Sequence, residues 1–217
     1  MTLRLALFDC DGTLVDGQAG VIAAMEAAFA AVRLPAPDRH QVRRIVGLSL
    51  PQAIRLLAPD ADEDARQAAD LAYREAFRAA REAGSLVEPL YDGIADLVAD
   101  LGREGWLLGV ATGKSQRGLD HCLAMHGLSA HFVTLQTADH HPSKPHPSMI
   151  DTALAETGAD RAACVMIGDT QFDMAMAVNA GVRAIGVDWG YHSADELREA
   201  GAEAVARDPA HLRELLQ

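Results

Sequence analysis

Asp9-Cys10-Asp11-Gly12-Thr13 follows directly on an almost continuously apolar run, Leu3 to Phe8. Carboxylates at i and i+2 of an extended segment point the same way, so Asp9 and Asp11 are expected to share one small volume. Two acids so placed are costly unless a cation or a shared proton relieves them. An isolated pair of this kind also reads as a solvated acidic turn. Three later segments change that reading, because each carries polar groups at or just past another apolar run. Thr112-Gly113-Lys114 offers a hydroxyl and exposed backbone N–H groups suited to phosphate oxygens. Lys144 precedes a backbone stiffened by Pro145 and Pro147. Gly168-Asp169-Thr170 ends a further run, and Asp173 stands one helical turn beyond Asp169 on the same face. Lys114 and Lys144 are the two lysines of the chain, and every other fixed cation is arginine.

Brought to one point, Asp9, Asp11, Asp169, Asp173 and one lysine would leave roughly three negative charges, which repel a phosphate dianion. A divalent cation is therefore expected. An all-oxygen donor set without a Cys or His cluster favours Mg²⁺ over zinc. The chemistry inferred is phosphoryl transfer, with a carboxylate attacking phosphorus while Mg²⁺ and lysine offset charge on the equatorial oxygens.

The elements that must position these groups alternate. Apolar runs at Leu3–Phe8, Trp106–Ala111, Phe132–Leu135, Ala163–Ile167 and Ala184–Val187 read as buried parallel strands, with a weaker element at Ala204–Ala206. Helical spacing predicts helices over Ile94–Gly102, Gln116–His126, Ser148–Thr157 and Phe172–Ala180, the last capped by Gly181, and a closing helix from Ala210. The fold class is accordingly α/β, a doubly wound Rossmann-like parallel sheet core. A block of helices, with segments predicted at Val21–Val32, Gln52–Leu57 and Ala65–Glu82, separates the first strand from the rest and is too long for a crossover. The expectation is an inserted α-helical cap over residues 17–87, with residues 1–16 and 88–217 forming the core. In such folds ligands sit at the carboxyl ends of the strands.

The chain has 217 residues, 49% of them hydrophobic and 23% charged, which excludes disordered and fibrous classes. Lys and Arg total 19 against 31 Asp and Glu, a formal charge of −12, so the mean field repels nucleic acid and anionic membrane. The expected partner is a small phosphorylated metabolite attracted locally, with neither nucleic acid nor membrane; oligomeric state is left open. Three dispersed cysteines, Cys10, Cys122 and Cys164, suit a reducing compartment, and no leader or spanning segment is legible, so the expected location is cytoplasmic.

Asp9-Cys10-Asp11-Gly12-Thr13-Leu14-Val15-Asp16, Thr112, Lys144 and Gly168-Asp169-Thr170-Gln171-Phe172-Asp173 resemble, in order, the four motifs of the haloacid dehalogenase superfamily. The resemblance spans essentially the whole chain. Leu90-Tyr91-Asp92-Gly93, Asn179-Ala180-Gly181 and Trp189-Gly190-Tyr191 are similar to the phosphoglycolate phosphatase branch, whose members carry a small helical cap. The resemblance implies a phosphatase in which Asp9 is the nucleophile forming an aspartyl-phosphate and Asp11 the general acid and then base. It also implies that Thr112 and Lys144 hold the phosphoryl group. It places Mg²⁺ on the Asp9 carboxylate, the Asp11 backbone carbonyl and Asp169, with Asp173 orienting that shell. Gly12, Thr13, Gly113 and Lys114 are then candidate phosphate contacts. Arg44, in the expected cap loop facing the site, is a candidate reader of the substrate's far end, a reading favoured over a solvated helix face for Arg43 and Arg44. Burial under the cap and the Asp9 charge are expected to keep a proton on Asp11. The chain departs from the pattern at Ser143, where glycine is usual, and at Gly17, where serine is usual.

Gly113-Lys114-Ser115 lacks the upstream glycine of a nucleotide-binding loop, since Leu108 stands there. His140, His141 and His146 read as a polar loop at the site mouth rather than a metal cluster. Cys10 is flanked by acids that disfavour a thiolate, so it reads as a filler. The second acid, Asp11, argues against a dehalogenase, and the lysine-free insertion argues against a phosphonatase. Leu50 stands where resembling phosphomutases carry arginine. A nucleotidase or phosphomutase of the same superfamily remains open, as does a phosphate-accepting signalling module without turnover.

Overall fold

The structure, a computed structural model, describes residues 2–217. Strand β1 (Arg4–Phe8) is followed by four helices, α1 (Gln18–Ala31), α2 (Arg39–Arg44), α3 (Leu50–Leu57) and α4 (Glu63–Glu82). Alternation then begins with α5 (Ile94–Arg103), β2 (Trp106–Thr112), α6 (Gln116–Met125), β3 (Phe132–Thr137) and α7 (Ser148–Thr157). It continues through β4 (Cys164–Gly168), α8 (Gln171–Ala180), β5 (Arg183–Val187), α9 (Ala194–Glu199), β6 (Ala204–Ala206) and α10 (Pro209–Leu215). The six strands form one parallel sheet in the order β3-β2-β1-β4-β5-β6. From β1 the chain winds outward one way to β3, then returns to β4 on the other side of β1. The junction of β1 with β4 is thus the point where the winding reverses, and the ligand crevice of a doubly wound sheet opens there.

Strand β1 is apolar along its length because both of its faces are covered. Ala6 and Phe8 join one core with residues of α5, α6 and α10, whereas Leu5 and Leu7 join a second core with residues of α7 and α8. Each of the three large side chains, Leu5, Leu7 and Phe8, is fully buried, which contributes roughly 1.5–3 kcal/mol apiece. A rigid central strand therefore delivers Asp9 to the crevice.

The helices between β1 and α5 pack around a third core, centred on Met25, Phe29, Val42, Ile54 and Ala69, which shares no residue with the other two. Two antiparallel crossings join this bundle to the sheet: Asp16 N donates to Pro89 O at 2.9 Å, and Tyr91 N donates to Leu14 O at 3.1 Å. Two short helices escaped the sequence reading. In α2 the single buried residue is Val42, and in α9 it is Leu197, so neither shows an apolar stripe. Both are set by caps instead: Asp38 accepts from Gln41 N, and Ser193 and Glu196 form a reciprocal capping box. Strand β3 also runs on past Leu135 to Thr137, carried by Gln136 and Thr137, which are polar yet buried.

Candidate active site

The carboxyl ends of β1, β2 and β4, with the loop after β3, bring Asp9, Thr112, Lys144, Asp169 and Asp173 to the crevice. Lys144 is buried and its Nζ lies 3.0 Å from Asp9 Oδ1 and 2.6 Å from Asp173 Oδ1. Asp9 Oδ1 also accepts from Cys10 N at 2.7 Å, whereas Asp9 Oδ2 is buried with no partner among the described residues. Asp169 accepts from Thr13 Oγ1 and from Tyr191 N, both at 2.9 Å. Asp173 closes a capping box with Thr170, its Oδ2 accepting from Thr170 N at 3.0 Å and Oγ1 at 2.7 Å. One side chain thereby starts helix α8 and holds Lys144.

Electrostatics follow from this burial. Desolvation raises the Asp9 carboxyl to about 7, against the opposing pull of Lys144. Desolvation likewise pushes Asp169 well up, reinforced by Asp173 and Asp9. Burial alone would lower Lys144, but Asp173 and Asp9 outweigh it and hold the ammonium charged. Carboxylate oxygens of Asp9, Asp169 and Asp173 lie within 4.8 Å of one another. The donors are all hard oxygen, Asp9 Oδ2 lacks a partner, and two of the acids are uncomfortable when ionised, so the residues present fit a divalent cation. Gly12 packs directly against Asp169: a Cβ there, where φ is +88°, would stand 2.2 Å from Asp169 Oδ2.

Asp11 does not join that cluster. Its two oxygens accept from Lys114 Nζ at 2.9 and 3.0 Å, and Lys114 also donates to Glu88 Oε1 at 2.6 Å. Asp9 and Asp11 face the same cavity, but each carboxylate has its own lysine. Glu88, buried where the chain re-enters the core, was missed by the sequence reading. A lone Glu before a proline carries no distinguishing pattern.

The remaining candidates separate. Thr112 is buried, lines the cavity, and its Oγ1 accepts from Lys114 N at 3.2 Å. Gly113 passes directly beneath the helical bundle, and a Cβ there would lie 2.5 Å from Leu48 O. Gly12 and Thr13 do not line the cavity; they shape and bond Asp169. Arg44 is the clearest correction. It sits on α2, and both of its terminal nitrogens bond the Glu196 carboxylate on α9, away from the cavity. Its neighbour Arg43 donates to Gly190 O at 3.1 Å and lies over the Tyr191 ring. His141 bonds Ser148 and Gln136, and the histidines form no metal-holding group among the described residues. Cys10 and Cys122 lie with their sulfurs 3.9 Å apart, and contact with Cys122 together with burial raises the Cys10 thiol well above its ordinary range, as suits a filler.

Above the crevice, the sheet end and the helical bundle enclose a cavity of about 800 Å³ that reaches Asp9, Asp11, Thr112 and Lys114. The bundle is tied down over it: Ser49 N donates to Ser143 Oγ at 2.9 Å, and His192 bonds Arg44 O at 3.0 Å.

Residues 6–187 match the family described as haloacid dehalogenase-like hydrolase. The chain belongs to this family. The hydrolase is 37% identical over 206 residues to the probable phosphatase IndB of Dickeya dadantii, covering 93% of this chain and 88% of that one. It is 32% identical to the N-acetylmuramic acid 6-phosphate phosphatase of Pseudomonas putida, over 100% of this chain and 97% of the relative. The crystal structure of a predicted phosphatase from Clostridium acetobutylicum superposes with a TM-score of 0.89 at 26% identity, covering 100% of this chain and 99% of that one. The sheet topology accords with the α/β, Rossmann-like expectation. No helix among the described residues is long and apolar enough to cross a membrane.

Proposed function

We propose that this hydrolase is a Mg²⁺-dependent phosphatase of a small phosphomonoester, a phosphoglycolate-like metabolite, working through an aspartyl-phosphate on Asp9. One observation carries the reading: Asp9, at the foot of the cavity, has one buried oxygen without a partner and Lys144 on the other. Residues 17–87 act in this reading as a cap over residues 1–16 and 88–217.

The Asp9 oxygen attacks phosphorus in line with the ester bond, which breaks as Asp11 gives its proton to the departing alkoxide. Lys144 and the Thr112 hydroxyl hold the equatorial oxygens, with Gly113 lining the same cavity beside them. Asp11, now a carboxylate held by Lys114, takes a proton from water, whose oxygen attacks phosphorus and releases inorganic phosphate and Asp9. Asp9, Asp169 and the Asp11 carbonyl would hold Mg²⁺, with Asp173 orienting that shell; the ion would supply charge neutralisation for the transferred group. A closed cap would keep bulk water from the acyl-phosphate during the first half-reaction.

The test is phosphate release from a panel of small phosphomonoesters, with Asp9→Asn as the blank. Release should need Mg²⁺, stop with a chelator, and fall by about 10⁴-fold or more in Asp9→Asn. Lasting phosphorylation of Asp9 without released phosphate would instead identify a phosphate-accepting module.

A further inference from the structure

With Arg44 committed to Glu196, the far end of the substrate has lost its expected reader, yet the cavity is not short of cations. Its walls carry Lys114, Arg74, Arg78, Arg81 and Arg117. Three of these are occupied. Lys114 is shared by Asp11 and Glu88, Arg74 bonds Asp70 at 2.5 Å and lies 3.8 Å from Asp139, and Arg78 grips Glu75 through both Nε and a terminal nitrogen. Arg81 and Arg117 have no acidic partner among the described residues, in a chain with twelve more acidic than basic fixed charges. Arg81 Nε is buried with no acceptor at all. A buried guanidinium donor left unpaired costs free energy that a bound acceptor would recover.

Part of the remaining wall is apolar, with Val21, Met25, Phe77 and Leu86 among its members. At about 800 Å³ the space falls within the roughly 300–1,000 Å³ that hold ligands of drug size, and exceeds what a two-carbon phosphate fills. We infer that Arg81 and Arg117 form a subsite for a second anionic group on the phosphomonoester, at the end of a carbon skeleton that lies along the apolar wall. This inference rests on the phosphatase reading above. Guanidinium groups suit the task because they present planar paired donors to a carboxylate or phosphate and stay charged at every working pH. An anion there is read by charge-assisted bonds, while Lys144 and Thr112 keep the phosphoryl end.

The experiment compares kcat/KM within pairs in which one member alone carries a second anionic group. N-acetylmuramic acid 6-phosphate against N-acetylglucosamine 6-phosphate tests a carboxylate, and fructose 1,6-bisphosphate against fructose 6-phosphate tests a phosphate. The expected result is a preference of about tenfold or more for the acidic member of at least one pair, seen mainly in KM. Arg81→Gln and Arg117→Gln should each shrink that ratio, the double variant should bring it near one, and Arg81→Lys should restore part of it. Arg117 is exposed, so its variant keeps the test available should Arg81→Gln fold poorly. Hydrolysis of p-nitrophenyl phosphate with no preference in either pair overturns the subsite and leaves the phosphatase reading standing, as does a preference that both glutamine variants retain in full. No release from any ester, p-nitrophenyl phosphate included, overturns the phosphatase reading and the subsite with it.

Discussion

The two lysines of the chain sit in matching surroundings with opposite connections. Lys144 lies between Asp9 and Asp173, all three buried, with Asp9 just past β1, Asp173 on α8 and Lys144 on the loop after β3. Lys114 lies between Asp11 and Glu88, and Glu88 belongs to the strand of chain that leaves the helical bundle. The first cluster therefore lies within the core beneath the bundle, whereas the second reaches the segment where the chain returns from it. Gly17, where the chain enters the bundle, reinforces the contrast, since a Cβ there would stand 2.3 Å from Asp11 Oδ1. A chain with so few lysines has placed each one where two carboxylates meet. The lesson is that Asp9 is held inside the crevice, and Asp11 beside the two passages of chain that join sheet and bundle.

If that contrast is right, Lys144→Met should do the greatest damage. It strands two buried carboxylates, which should cost about 3–5 kcal/mol in urea denaturation, and phosphate release should fall about 10²–10³-fold in kcat. Equal losses for Lys144→Met and Glu88→Gln would break the comparison. Glu88→Gln should leave Lys114 on Asp11 but loosen its tie to the returning chain, lowering kcat about tenfold with KM little changed. Gly17→Ala sharpens the same point from the outgoing chain. The added carbon must displace the Asp11 carboxylate, so kcat should drop about threefold to tenfold while the urea midpoint barely moves.

The smallest effect concerns the clasp between α2 and α9. Arg44, with the Ser193 bonds, holds the Glu196 carboxyl down at about 2. An unfolded chain titrates a glutamate near about 4.3, so the stabilisation is complete above that pH. It fades as the unfolded state takes up the proton first, and is gone once the pH falls through about 2. The pair is about one-third exposed, so Arg44→Met should cost about 1 kcal/mol or less at pH 7. Urea midpoints of parent and variant should converge as the pH is lowered toward 2.5. A gap that stays constant across that range would show that packing, not charge, holds the clasp.

Much of this was legible because β1 and β4 are covered on both faces, which forces apolar runs that end abruptly at Asp9 and near Gly168. The polar groups at strand ends announced themselves by that contrast. Helices α2 and α9 were not legible, since each buries a single side chain and is set by caps rather than by a stripe. Arg44 was placed in a loop for the same reason, and its partner lies 152 residues away. The two departures from the family pattern also gained their meaning from neighbours distant in sequence. Ser143 accepts from the Ser49 backbone of the bundle, and Gly17 makes way for Asp11.

The order of residues by itself determined the alternation of strand and helix, the long helical insertion, and the positions at strand ends where chemistry could gather, because local burial imposes periodicity on the chain. Only the tertiary structure decided which acid meets which cation. Lys114 rather than Asp9 beside Asp11, Glu196 rather than substrate on Arg44, and two arginines of the cavity wall left without acids all depend on charges brought together across long stretches of chain. Coulomb forces act through space, and nothing in the spacing of residues along the chain records that distance.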